Sequence, residues 1–113
     1  MPIYRAFNHG HSRRCVIVED WLGAYKIALA RPDLAAFPVL GTKVTALRRQ
    51  YLHENFFEFV VALDNDRAEV IIAQHELSKS LQHHGVVRQL GLDCEFKDMS
   101  IGDIQRYLDE HEI

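Results

Sequence analysis

Two aspartates one residue apart, Asp64 and Asp66, close the run Phe56-Phe57-Glu58-Phe59-Val60-Val61-Ala62-Leu63. A run so rich in aromatic and β-branched residues reads as a buried strand. A carboxylate pair at the carboxyl end of a core strand faces the crevice where open α/β sheets bind ligands. At spacing i and i+2, two aspartates offer hard oxygen ligands to one Mg²⁺, which prefers carboxylates, water and phosphate to imidazole or thiolate. Asp-Asn-Asp is equally the composition of a solvated turn. A second acidic strand end, Glu19-Asp20 after Cys15-Val16-Ile17-Val18, weighs toward a site. Carboxylates crowded together repel unless a cation neutralises them, so a divalent ion is the natural tenant.

Those acids need elements to position them. Cys15 to Val18 is fully apolar, the mark of a strand covered on both faces. Trp21, Leu22, Tyr25, Ala28 and Leu29 then fall on one helical face, the apolar stripe of an amphipathic helix that Pro32 closes. Asp20 fits an ordinary acid at that helix's N-terminus, which leaves Glu19 as the residue expected at the crevice. Phe37-Pro38-Val39-Leu40 is a second strand, ended by Gly41-Thr42, where Gly41 suits a tight turn and Thr42 a helix cap. In the next helix Val44, Leu47 and Tyr51 form the expected buried stripe, with Lys43, Arg48 and Arg49 on or near the other side.

After the Asp64/Asp66 strand, a long helix is expected from about Arg67 to His84, with Val70, Ala73, Leu77, Leu81 and His84 near one face and Gly85 as its stop. Val86 to Leu90 reads as a fourth strand, and Ser100-x-x-Asp103 opens a short C-terminal helix carrying Ile104, Tyr107 and Leu108. Upstream, Ile3 to Phe7 alternates weakly, as a short edge strand does. The loop after it holds His9 and His11, without a further cysteine or histidine at ligand spacing nearby; with Arg13 and Arg14 it reads better as a phosphate-contacting patch.

Strand and helix alternate four times, which predicts an α/β fold: a four-stranded, mostly parallel sheet with helices on both faces. The doubly wound order 2-1-3-4 sets strands one and three side by side, so Glu19 and Asp64-Asn65-Asp66 converge. No Gly-rich dinucleotide loop, phosphate loop or Ser-His-Asp arrangement is present at the strand ends. The 113 residues make one domain, and a formal charge of −3 gives no overall attraction to nucleic acid, so contact would rest on local basic patches or bridging metal. No apolar run reaches membrane-spanning length, the N-terminus lacks a secretory pattern, and Cys15 and Cys94 make no disulfide framework; a reduced, cytoplasmic protein is expected.

On these residues the chain resembles the Toprim domain shared by topoisomerases and primases. Val16-Ile17-Val18-Glu19-Asp20-Trp21-Leu22-Gly23-Ala24 is similar to its glutamate motif, Leu40-Gly41-Thr42 to its second-strand glycine motif, and Leu63-Asp64-Asn65-Asp66-Arg67-Ala68 to its Asp-x-Asp motif. In style the three look most like the Toprim segments of bacteriophage primases and primase-helicases. The resemblance runs from about Cys15 to Leu90 and implies a Toprim domain over 15–113 behind an N-terminal extension over 1–14. It implies Glu19 as catalytic acid/base and Asp64 and Asp66 as ligands of Mg²⁺ or Mn²⁺ in nucleotidyl or phosphoryl transfer. Substrate contacts would then come from Gly41, Thr42, Lys43, Arg13, Arg14, Arg48 and Arg49. Glu69 departs from the motif, because primase-type members usually carry Gly there, and an acidic side chain would narrow or repel the phosphate approach. The chain also has neither the zinc-binding module nor the basic subdomain of such primases. The resemblance therefore implies the catalytic portion of a split DNA primase working on single-stranded DNA and nucleotides. Its partner would be a separate replication protein, such as a helicase or a basic, zinc-binding primase subunit. A stand-alone Toprim nuclease and a non-catalytic Toprim module that docks a replication protein are the alternatives.

Overall fold

A computed structural model of the chain describes residues 5–10, 12–39, 46–63, 68–83, 85–90 and 95–113, with 68–70 and 73 described by backbone alone. In chain order the elements are β1 (Arg14–Val18), α1 (Trp21–Ala30), β2 (Ala35–Pro38), α2 (Ala46–Asn55), β3 (Glu58–Val61), α3 (Ala68–Leu81), β4 (Val86–Gln89), a 3₁₀ turn (Phe96–Asp98) and α4 (Ile101–Glu110). The strands form one parallel sheet in the order β2-β1-β3-β4, with Ile17 paired to Phe37 on one side and to Val61 on the other. Class, order and strand direction are those expected from the sequence.

Period-two alternation divides the core between the two faces of the sheet. Val16, Val18, Ala36 and Val60 pack with Ala24 and Ile27 of α1 and Ile104 and Leu108 of α4. Cys15, Ile17, Phe37, Phe59 and Val61 turn the other way, against Leu52 of α2 and Leu77 and Leu81 of α3. A strand apolar at every position thus serves two cores at once, which is why β1 is buried from Cys15 to Val18. Burial also pushes the Cys15 thiol far above its usual range. No described helix is long and apolar enough to cross a membrane.

The helix faces differ from the sequence reading. In α1 the buried residues are Gly23, Ala24, Ile27, Ala28 and Ala30, whereas Trp21, Leu22, Tyr25 and Leu29 of the apolar stripe point outward. Leu52, not Leu47, is the core residue of α2; Leu47 is exposed, Tyr51 is half-buried, and Val44 lies outside the described residues. α3 keeps Leu77 and Leu81 in the core but ends at Leu81, before Gly85. Gly85 instead sets the start of β4, where an added Cβ would stand 2.0 Å from the Phe57 carbonyl oxygen. α4 begins as expected, with Ser100 Oγ accepting from the Asp103 amide at 3.1 Å.

The segment before β1 is packed onto the sheet. Phe7 forms an antiparallel bridge with Ala36 at the outer side of β2, the place expected for an edge strand. Asn8, at a positive φ of 59°, donates from Nδ2 to the Ala28 and Leu34 carbonyls, tying the segment to the end of α1 and the loop beyond.

Candidate functional site

All four strands run the same way, so their carboxyl ends share one edge. Backbone pairing continues there past the strands: Val39 N donates to Val18 O at 2.9 Å, Ala62 N to Ile17 O at 2.8 Å, and Leu90 N to Val61 O at 2.9 Å. The Ile17–Val61 pair is the last of the β1–β3 ladder, and Glu19 and Leu63 each follow it by two residues. Leu63 is buried and is the last described residue before Asp64-Asn65-Asp66. Asp64 and Asp66 themselves lie outside the described residues, as do Gly41, Thr42 and Lys43.

The two neighbouring acids after β1 do different work. Asp20 is the N-cap of α1: with extended backbone (φ −128°, ψ 165°), its Oδ1 accepts from the Gly23 amide at 2.8 Å. That satisfies one of the amides a helix leaves unpaired at its start. Its other oxygen faces Lys97 Nζ at 3.6 Å, and Lys97 also pairs with Glu95 at 3.0 Å. The hydrogen bond to Glu95, then the charges of Glu95 and Asp20, hold the Lys97 ammonium above its usual pKa. Glu19, half-buried, occupies the edge itself. The assignment of Asp20 to the helix start and of Glu19 to the edge follows the sequence reading.

Arg48 reaches the same edge. From α2 its Nη1 donates to the Val39 carbonyl at 3.1 Å, and Val39 is in turn bonded through its amide to Val18, the residue before Glu19. A half-buried guanidinium is thereby anchored just past the end of β2, at the carboxyl edge. Arg49 is half-buried one residue on, about 100° around the helix.

Arg13 and Arg14 lie at the opposite end of the sheet. Arg14 opens β1 and pairs with Glu58, the first residue of β3, at 2.8 Å. The Arg13 guanidinium sits 5.3 Å from the centre of the Phe57 ring. Glu19 follows Arg14 by five positions along the strand, a distance of about 16 Å at the usual rise. The basic residues therefore do not gather at one edge: Arg48 reaches the carboxyl edge at Val39, and the Arg13-Arg14 pair belongs to the amino edge.

His9 stacks on Tyr51 and meets Phe56 edge-on, and its Nδ1 is hydrogen-bonded to the Tyr51 hydroxyl. His11 lies outside the described residues. The sequence reading missed Tyr51 as a polar hub: its hydroxyl also accepts from the Ala6 amide at 2.9 Å, and burial raises its pKa. The only sequence signal was an aromatic residue at a core-facing helical position. Lys97, 77 positions after Asp20, gave no signal at all. Among the described residues no group of three or more His, Cys, Asp or Glu is placed to hold a metal ion. Compared with known proteins, the chain matches no family model and no curated sequence.

Proposed function

We propose that this chain is a Toprim-type, Mg²⁺- or Mn²⁺-dependent nucleotidyl- or phosphoryl-transfer domain acting on nucleic acid, the catalytic portion of a split DNA primase. The observation that carries the reading is the adjacency of β1 and β3 in a parallel sheet. Glu19 follows the first strand, and in sequence Asp64-Asn65-Asp66 follows Leu63 after the second. The donor set is carboxylate throughout, which suits Mg²⁺ or Mn²⁺ rather than a soft-ligand metal. Asp64 and Asp66 would hold the ion, which when bound neutralises charge building on the transferred phosphoryl group.

The rest of the chemistry falls to the chain's own groups. Glu19 accepts the proton of the attacking hydroxyl as its oxygen forms the new bond to phosphorus and the bond to the leaving pyrophosphate breaks. Arg48, anchored on the Val39 carbonyl, is suited to steady a phosphate oxygen at that edge. With a net charge of −3 the chain binds single-stranded DNA weakly, and a partner supplies basic surface for the template.

The test is incubation with single-stranded DNA, ribonucleotides and Mg²⁺ or Mn²⁺, with and without a basic primase subunit, scoring both synthesis and cleavage. Metal-dependent primers are expected with the partner present, and Glu19→Gln should lower their yield by about a hundredfold or more. Cleavage without synthesis would transfer the assignment to a Toprim nuclease. No product of either kind, together with equal Mn²⁺ binding by wild type and the Asp64→Asn/Asp66→Asn double variant, would refute the reading.

A further inference from the structure

Helix α3 carries the two polar side chains that are buried among the described residues, Gln74 and Ser78, at 6% and 2% exposed. Neither is satisfied: Gln74 Oε1 and Ser78 Oγ have no hydrogen-bond partner among the described residues. A serine within a helix can bond back to the carbonyl one turn earlier, and Ser78 does not. A buried polar atom left unpaired costs stability, so alanine would suit a plain core position better. Around the helix from the core residues Leu77 and Leu81 come Gln74, Ser78, Gln82, His75 and Lys79 in turn, over about 140° of arc. Ser78, Gln82, His75, Lys79 and Glu76 line a cleft of about 420 Å³ whose other wall is Gln89, the last residue of β4. Ser78 is its one buried member. Glu76 and Lys79 stand three apart, where opposite charges on a helix commonly pair, yet they make no ion pair.

We propose that this cleft binds a small molecule that carries a phosphate on a hydroxyl-bearing sugar, the unit shared by a mononucleotide and a free pentose phosphate. The chemistry of the lining selects it. Lys79, His75 and the carboxamides of Gln82 and Gln89 all donate, and donors so gathered suit an oxyanion with several acceptor oxygens. A bare anion would set its charge against Glu76, which only accepts; sugar hydroxyls donate to that carboxylate. An apolar ligand would leave every one of these groups unmet. The volume exceeds that of a lone phosphate and lies within the range of small-molecule sites. Neither Glu19 nor Arg48 lines the cleft, so its occupancy does not depend on the reaction proposed at the carboxyl edge.

The test is an NMR titration of the isotope-labelled full chain with EDTA present, which removes metal-dependent binding at the carboxyl edge. The probes are adenosine monophosphate, ribose 5-phosphate, inorganic phosphate and adenosine. Amide shifts over residues 75–82 and at Gln89 are expected with the first two, at about millimolar concentration or below, and about tenfold or more tighter than with either of the others. Tighter binding of adenosine monophosphate identifies a nucleotide as the ligand, and equal affinity identifies the sugar phosphate. Lys79→Gln and Glu76→Gln, both at exposed positions, should each weaken binding about tenfold. Ser78→Ala should do the same while leaving the ligand-free protein at least as stable in urea as the wild type, because it removes an unpaired buried hydroxyl. No shift with any probe up to about 10 mM overturns the proposal. So does inorganic phosphate bound as tightly as the sugar phosphate, or binding that these substitutions leave intact.

Discussion

Gly85→Ala puts the β3–β4 pairing to a direct test. An added Cβ at Gly85 would lie 2.0 Å from the Phe57 carbonyl oxygen, 2.8 Å from its carbon and 3.2 Å from the Phe57 Cα. A carbon approaches a carbonyl oxygen no closer than about 3.3 Å, so the start of β4 must move by roughly 1.3 Å. The obstacle is backbone and cannot swing aside. Such a shift breaks the 2.8 Å bond from the Val86 amide to Phe57 O and disturbs the Glu58–Val86 register. Overpacking costs about 1–3 kcal/mol and the lost hydrogen bond about 1. Restricting the unfolded chain returns about 0.4–1 kcal/mol, leaving a net loss of about 2 kcal/mol. Val86 is 70% exposed, so little side-chain burial holds this end of β4 if the backbone bond goes.

In urea, with a slope of about 2 kcal/mol per molar, the midpoint should fall by about 1 M with the slope unchanged. The Val86 amide should lose hydrogen-exchange protection before those of β1 do. Gly102→Ala is the matched control. It is the second residue of α4, nothing lies within 4 Å of its added Cβ, and alanine there should stabilise by up to about 1 kcal/mol. The same chemical change thus carries opposite signs at two sites. A Gly85→Ala protein as stable as the wild type would refute the close approach and the pairing built on it.

Three further outcomes follow from single contacts. Asp20→Ala removes the cap on the Gly23 amide and should cost about 1 kcal/mol in urea unfolding, with Asp20→Ser recovering most of it. Tyr51→Phe leaves the Ala6 amide without its acceptor and should cost about 1 kcal/mol, read as a fall of about 4 °C in the thermal midpoint. Asp33 is hydrogen-bonded by the Arg31 guanidinium, which lowers its pKa in the folded state. Its contribution is complete above the unfolded value near 3.9 and is lost as pH falls from there through the depressed folded value. The carboxylate is 63% exposed, so the effect is small: Asp33→Asn should lose slightly less stability than the wild type between pH 5 and pH 2 in parallel urea titrations.

Much of the architecture was legible because Cys15–Val18 and Phe59–Leu63 are unbroken apolar runs, as strands covered on both faces are, and because helices separate them. The carboxyl edge was legible for the same reason: parallel strands put every strand end on one side, so Glu19 had to fall there. Arg13 and Arg14 were misjudged by that rule's own logic. They precede β1 rather than follow it, and residues before a parallel strand belong to the amino edge, where Arg14 meets Glu58. Arg48 came to the site through a side chain long enough to reach the Val39 carbonyl, and neither helical spacing nor charge could supply that reach. Gly85 was misread because a glycine after a helical run signals a helix end, whereas here the glycine is needed for close passage beside Phe57.

The inversion of α1 has a different cause. Periodicity marks the apolar positions of a helix but not which of two apolar faces turns inward, and WLGAYKIALA has two. Size decides between them. The inward face carries Gly23, Ala24, Ala28 and Ala30 with Ile27 as its one large member, which lets the helix lie close to the sheet and to the 3₁₀ turn. A Cβ at Gly23 would already be 3.6 Å from Phe96 Cβ and from the Lys97 amide, so the space beneath the helix is filled by its neighbours. Trp21, Leu22, Tyr25 and Leu29 turned inward would have to displace those neighbours and break the Asp20 cap, which fixes the rotation of the first turn. Close packing against the sheet therefore forces the large side chains out. The exposed stripe of α1 is the cost of a tight inner face, because this chain's own core has no room for those side chains.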